Sequence, residues 1–261
     1  MRAARIVVVG VLAFCFRGSS GVPAQAVEAP KGAAEDSIAS GPASQKILTA
    51  EDFVKNQLDR GSGNEPVTLV VQIHPKLPAY QFRLVPDLSA TGNYSERRRH
   101  VGRIEISQFG SGMALQTIEV ESHSDFLSFI QWFTARDMNF DGYLDIAATD
   151  DRGAQWMSFN YWLFDDRSGR FVSNAFTDQL RQQLAANSID LDPKVQEIHA
   201  SYLGRECPGG QSIFKVENGH LVLSQQEKYA VQDDGCAETI EKRVEGKMVV
   251  VETRKVAALT H

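Results

Sequence analysis

The stretch Val101-Gly-Arg-Ile-Glu-Ile-Ser-Gln-Phe109 decides the fold class. Arg103, Glu105 and Ser107 alternate with Ile104, Ile106 and Gln108, the period of a strand with one face in the core and one in water. Working outward, Val67 to His74, Tyr80 to Val85 and Ala114 to Glu121 are alternating or β-branched, with Pro, Gly and Asn between them. The C-terminal part predicts hairpins. Ser212–Val216 and Leu221–Ala230 flank Glu217-Asn218-Gly219, and Thr239–Glu245 and Met248–Arg254 flank the Glu245-Gly246 turn. Asn-Gly is a strong hairpin signal because both turn residues must take positive φ; Glu-Gly is a weaker one. Two short helices fit around these strands. One starts at Thr49-Ala-Glu-Asp52, with Phe53, Val54, Gln57 and Leu58 on one side before Gly61; the other covers Thr177 to Ala186. Phe126 to Phe133 reads equally as a helical segment or a buried strand. No fixed-period repeat is present. The expectation is a mainly antiparallel β domain with one or two peripheral helices.

The N-terminus reads as an address. Arg2 and Arg5 precede an almost wholly apolar run, Ile6 to Phe16, and Ala24-Gln25-Ala26 supplies small residues for cleavage, the order of a secretory signal peptide. The run is well short of the ~20 residues of a membrane span. Leu12-Ala-Phe-Cys15 resembles a lipoprotein box with Phe14 where a small residue is wanted, so a lipid anchor at Cys15 and cleavage after Ala26 stand as competing outcomes. Val27 to Gln45 is Ala, Ser, Gly, Pro and scattered charge with hardly a large apolar residue, and reads as a flexible linker. The expected organisation is signal peptide 1–26, linker 27–46 and one β domain, 47–261, in a periplasmic or secreted protein. Once Cys15 is set aside, Cys207 and Cys236 remain. In an oxidising compartment such a pair predicts a disulfide.

Charge narrows the partners. The chain has 27 Lys and Arg against 33 Asp and Glu. Residues 1–26 hold Arg2, Arg5 and Arg17 and no acidic residue, so the remainder carries 24 against 33, a net −9. That excludes a phosphate backbone as a natural ligand and favours a basic protein or a divalent cation. Glu96-Arg-Arg-Arg-His100, the one basic run, reads as a solvated loop before a strand.

Asp137-Met-Asn139-Phe-Asp141-Gly142-Tyr143-Leu-Asp145 places oxygen side chains at positions 1, 3, 5 and 9 of a loop, with glycine at 6. A hard divalent ion needs several oxygens at about 2.4 Å, so alternate side chains must converge while glycine permits a sharp turn. Tyr143, at position 7, would give its backbone carbonyl. Position 12 is Ala148, where an EF-hand has glutamate, and both flanks read as strand. The plainer reading is an acidic β-turn, which would not require the fifth and ninth oxygens as well. Calcium is the expected cofactor, in a structural role.

Downstream, Asp150-Asp151-Arg152-Gly153-Ala154-Gln155-Trp156 is polar and glycine-bearing. It leads into Trp156-Met-Ser-Phe-Asn-Tyr-Trp-Leu-Phe164, which is aromatic on both alternating faces. Such a strand is buried on both sides or meets a partner. Core is the expectation for Tyr161 to Phe164, and exposure for Trp156, since Trp anchors are enriched at interfaces.

The loop from Asp137 to Ile146, the glycine-containing segment after it, Asn160-Tyr-Trp-Leu-Phe-Asp165 and Ser168-Gly-Arg-Phe171 together resemble a family of exported, calcium-binding bacterial proteins. The best-understood members are immunity proteins that inhibit lysozyme-like, peptidoglycan-cutting effectors of a type IV secretion system. They are distantly similar to invertebrate-type lysozyme inhibitors. The resemblance implies a β-propeller-like domain and calcium ligands at Asp137, Asn139, Asp141, Tyr143 and Asp145. It also implies an inhibitory loop, Asp150 to Trp156, entering the hydrolase active-site cleft. It covers residues 126–171, with Trp156 where a tyrosine is expected.

Catalytic signatures are absent from the sequence: there is no GxSxG, HExxH, Walker loop or GxGxxG. Ser122-His123-Ser124-Asp125 holds triad letters, but neighbours in sequence rarely make a triad. The expected function is therefore that of a non-enzymatic inhibitor of a peptidoglycan hydrolase. A calcium-dependent adhesion or glycan-binding module, displaying Trp132, Trp156 or Trp162, is the alternative. An undetected hydrolase with two facing carboxylates ranks third.

Overall fold

Strand β8, Met157–Asp165, contributes to both hydrophobic cores. In the computed structural model, which describes residues 46–54, 66–87, 101–121, 133–152 and 156–259, both of its faces are buried. Trp162 and Phe164 pack with one core cluster, and Phe159, Tyr161 and Leu163 with another. The double-sided apolar pattern thus resolves as core on both sides.

Three sheets, mainly antiparallel, make up the described fold, each with its strands in sequence order. The first holds β1 (Ile47–Leu48), β2 (Val67–Val71), β3 (Tyr80–Pro86), β4 (Val101–Gln108) and β5 (Ala114–Glu119). The second, β6 (Phe133–Arg136), β7 (Asp145–Arg152), β8 and β9 (Arg170–Val172), lies between the other two in its packing. The third runs β10 (Ser188–Asp192), β11 (Glu197–Ser201), β12 (Gln211–Glu217), β13 (His220–Gln232), β14 (Gly235–Val244) and β15 (Lys247–Val256). None of the sheets closes on itself. Among the described strands only the β1–β2 pair is parallel. The architecture is mainly β, as expected.

Strand β4 alternates as read: Ile104 and Ile106 are buried, while Arg103 and Arg83 pair with Glu105 on the outer face at 2.9 and 2.7 Å. Between the first two sheets lies an aromatic cluster. Phe82 sits 5.4 Å from Phe133 and 5.6 Å from Phe171, which is 5.3 Å from Phe164. Each buried ring contributes roughly 1.5–3 kcal/mol. Gln116 ties the same two sheets: its amide donates to the Phe171 carbonyl (2.7 Å) and accepts from the Phe171 N–H (2.9 Å), as a strand backbone would.

Helix α1 (Ala50–Val54) starts where Thr49 and Asp52 predicted, with the Thr49 N–H donating to the Asp52 carboxylate. Helix α2 (Ala175–Gln183) begins two residues before the sequence signal. Its cap is Asn174, which accepts from Phe176 and Thr177 N–H while Thr177 Oγ1 accepts from the Asn174 N–H. Both predicted hairpin turns form with two positive-φ residues: Asn218 (52°) and Gly219 (74°), Glu245 (50°) and Gly246 (82°). Cys207 and Cys236 are joined, Cα to Cα 5.8 Å. This pins the Leu203–Gly210 loop to β14.

Every described residue belongs to one unit, Ser44–His261. The signal peptide, Cys15, nearly all of the linker, the basic run at 96–100, Ser122–Asp125 and Trp132 lie outside the described residues. So does the ambiguous segment from Phe126, except Phe133, which opens β6. Among the described residues no helix is long and apolar enough to cross a membrane. The β10–β11 hairpin was not read from the sequence: Asp190 and Asp192 alternate with only Ile189 and Leu191, too short a pattern to stand out.

Candidate functional site

The loop joining β6 to β7 is built by its own side chains. Asp137 accepts from the Asp141 N–H (3.1 Å) and, through its other oxygen, from Gly142 N–H (2.9 Å). Asp141 accepts from Tyr143 N–H (2.9 Å) and from the Asn139 amide (2.8 Å). Phe140 and Gly142 take φ of 59° and 93°, the left-handed steps that turn positions 1, 3 and 5 inward. Both flanks are strands, as read, and Ala148, at the EF-hand's twelfth position, is buried inside β7.

Asp145 is fully buried at the head of β7. Its two oxygens accept from Met138 N–H (2.8 Å) and Phe164 N–H (2.9 Å), stitching the loop to β8. Burial pushes its carboxyl up to about 8 against these two hydrogen bonds, and the charges of Asp141 and Asp137 push the same way. Asp137 is raised as well, by burial and then by Asp141. Among the described residues no three His, Cys, Asp or Glu side chains close on one point as a ready-made metal grip. The loop nevertheless fits a hard cation on its donor chemistry. Its donors are all oxygens, from three carboxylates, one amide and one backbone carbonyl. Each carboxylate oxygen has a second lone pair beyond the N–H it now serves, a backbone one in every case but Asp141 Oδ2, which accepts from the Asn139 amide.

Two features of this site had no local sequence signal. His74 lies against Tyr143 with ring centroids 4.5 Å apart, and Tyr143 lies 5.3 Å from Phe164. The Leu144 N–H donates to the Ile73 carbonyl (2.9 Å), so the chain after β2 buttresses the loop.

The expected partner loop is differently placed. The sequence reading starts it at Asp150, but β7 runs to Arg152 and pairs Asp151 with Ser158 and Arg152 with Met157. Asp150 is the extra residue of a bulge in β7. It is buried and paired with Arg181 of α2 at 3.1 Å. Turn composition hid this strand end, because the inward aspartate is satisfied by an arginine some thirty residues away. Gly153, Ala154 and Gln155 lie outside the described residues. Trp156 is 39% exposed, while Met157 bridges to Ala186 just after α2. The tip of the β7–β8 hairpin and the acidic loop are thus at opposite ends of β7, some eight residues or roughly 25 Å apart.

Elsewhere, the Tyr229 hydroxyl lies within hydrogen-bond distance of both Glu227 and Glu238 and donates its one hydrogen to either, and Arg254 holds the buried Glu238 through two nitrogens. That guanidinium keeps the Glu238 carboxyl below its usual range. A depression of about 310 Å³ is lined by Leu203–Gly210, Tyr229 and Val231, with Glu206 its one carboxylate. Trp162 is half-buried, packed against the core between the first two sheets.

The chain matches no protein-family model and no curated protein. Among solved structures it is similar to that of a Xanthomonas type IV secretion system related protein. That likeness covers 72% of this chain and 99% of that one, at 15% identity and a TM-score of 0.47.

Proposed function

We propose that this chain is an exported, calcium-stabilised immunity protein that blocks a lysozyme-like peptidoglycan hydrolase of the kind type IV secretion systems deliver, placing the tip of the β7–β8 hairpin in its active site. The observation that carries the reading is the 137–145 loop. Three aspartates are crowded at the start of the strand that ends at the tip, one of them wholly buried with its carboxyl pushed up to about 8. A bound divalent cation relieves that repulsion. Asp137, Asn139 and Asp141 supply side-chain oxygens, Tyr143 its carbonyl, and Asp145 either a ligand oxygen or the anchor of the loop. The ion's part is to fix β7 in register. The chain's own groups do the rest: the Asp150–Arg181 pair holds the tip end of β7, and Trp156 is its exposed anchor.

The fold reading that goes with this is propeller-like, because propeller blades are sheets whose strands follow in sequence order, as all three sheets here do. The net −9 speeds encounter with a basic hydrolase more than it tightens the complex. A signal peptide over 1–26 and a disulfide suit a periplasmic or secreted protein, whether processed after Ala26 or lipidated at Cys15. The glycan-binding alternative is weakened by Trp162, which is half-buried against the core between the first two sheets. The reading assigns the chain no catalysis of its own.

The test is inhibition of peptidoglycan lysis by a panel of lysozyme-type hydrolases, with calcium or with chelator. The proposal expects dose-dependent inhibition that chelation reduces and that Trp156→Ala weakens at unchanged melting temperature. No inhibition across the panel by a calcium-loaded protein would defeat the activity.

A further inference from the structure

We infer that the face of the central sheet shared by Thr134, Arg136 and Tyr161 binds one internal water molecule, held at the seam with β10. Thr134 Oγ1, Arg136 Nε and the Tyr161 hydroxyl are each buried with no hydrogen-bond partner among the described residues. Three such atoms on one face is the observation that points to a ligand, since buried polar groups are otherwise almost always paired.

The register places them together. Thr134 pairs with Ala147, and Ala147 with Tyr161, so the hydroxyls of β6 and β8 sit on one face, on either side of a residue with only a methyl. Arg136 is two residues along β6 on that face. Its Nη1 donates to the Ile189 carbonyl of β10, which fixes the guanidinium at the seam and leaves Nε–H directed elsewhere. Arg136 and Tyr161 are close enough for each to influence the other's charge.

The chemistry selects the ligand. Arg136 Nε–H only donates, whereas each hydroxyl donates or accepts. Water, with two donors and two acceptors, takes the guanidinium hydrogen and serves both hydroxyls at once. An anion would also accept from all three, but Asp190 already acts on Arg136 and the acidic loop begins at the next residue, Asp137. A neutral ligand suits that field.

Tyr161→Phe and Thr134→Val, near-isosteric changes, test this in the purified protein by thermal unfolding, with a high-resolution crystal structure soaked in bromide. The expected result is one water peak within hydrogen-bond distance of the three atoms. Each single variant should melt roughly 2–4 °C lower, and the double variant should lose less than the sum. A Tyr161→Phe protein that melts at the same or a higher temperature would overturn the inference, because deleting an unpartnered hydroxyl relieves strain. An anomalous bromide peak at the position would overturn it in favour of an anion.

Discussion

Asp145 concentrates the energetic problem of this molecule in one side chain. Its carboxyl is fully buried and titrates near 8 in the folded chain, against about 3.9 when unfolded. Without a cation the folded state holds that proton more tightly than the unfolded state does. Stability is therefore greatest below about pH 4 as far as this group is concerned, and is lost as pH rises toward 8. A bound cation favours the ionised form and opposes that loss. In chelator the melting temperature should fall between pH 5 and pH 8, and the increment from added calcium should grow over the same range. Melting curves at four pH values check this, and an increment that shrinks as pH rises would contradict the assignment.

Single elements separate what sequence reveals from what it hides. The Asn218-Gly219 and Glu245-Gly246 turns were legible because positive φ leaves a local signature, and β4 was legible because Ile104 and Ile106 alternate with Arg103, Glu105 and Ser107. The oxygens of the 137–145 loop were legible for the same reason: chemistry and spacing lie within nine residues. The end of β7 was not. Asp150 reads as a loop residue until Arg181 is placed beside it, and His74 gives no hint that it faces Tyr143. Contacts between residues far apart in sequence have no local trace. Two predictions belong at this scale. Asn174→Ala removes acceptors for two N–H groups of α2 and should cost about 1 kcal/mol, read from denaturant unfolding. His74→Ala removes the ring buttress of Tyr143 and should weaken calcium binding several-fold, measured by calorimetry, while sparing the fold.

At the scale of the whole molecule, cohesion comes from two cores on either side of one sheet and from one covalent tie. The Cys207–Cys236 bridge closes a loop with a sequence separation of 29, worth roughly 3.5 kcal/mol by the chain-entropy argument. Replacing both cysteines by serine should lower stability by about that amount and leave the acidic loop intact. The layer order was not legible beforehand, because the pattern of β8 showed two buried faces without naming what covers them. Proposed calcium site and proposed binding tip lie at opposite ends of β7. The account therefore stands first on the metal. The most direct measurement is a calorimetric calcium titration of chelator-stripped protein beside its Asp137→Ala variant. The account predicts one calcium per chain for the parent and none for the variant. A flat titration of a folded parent protein would contradict it.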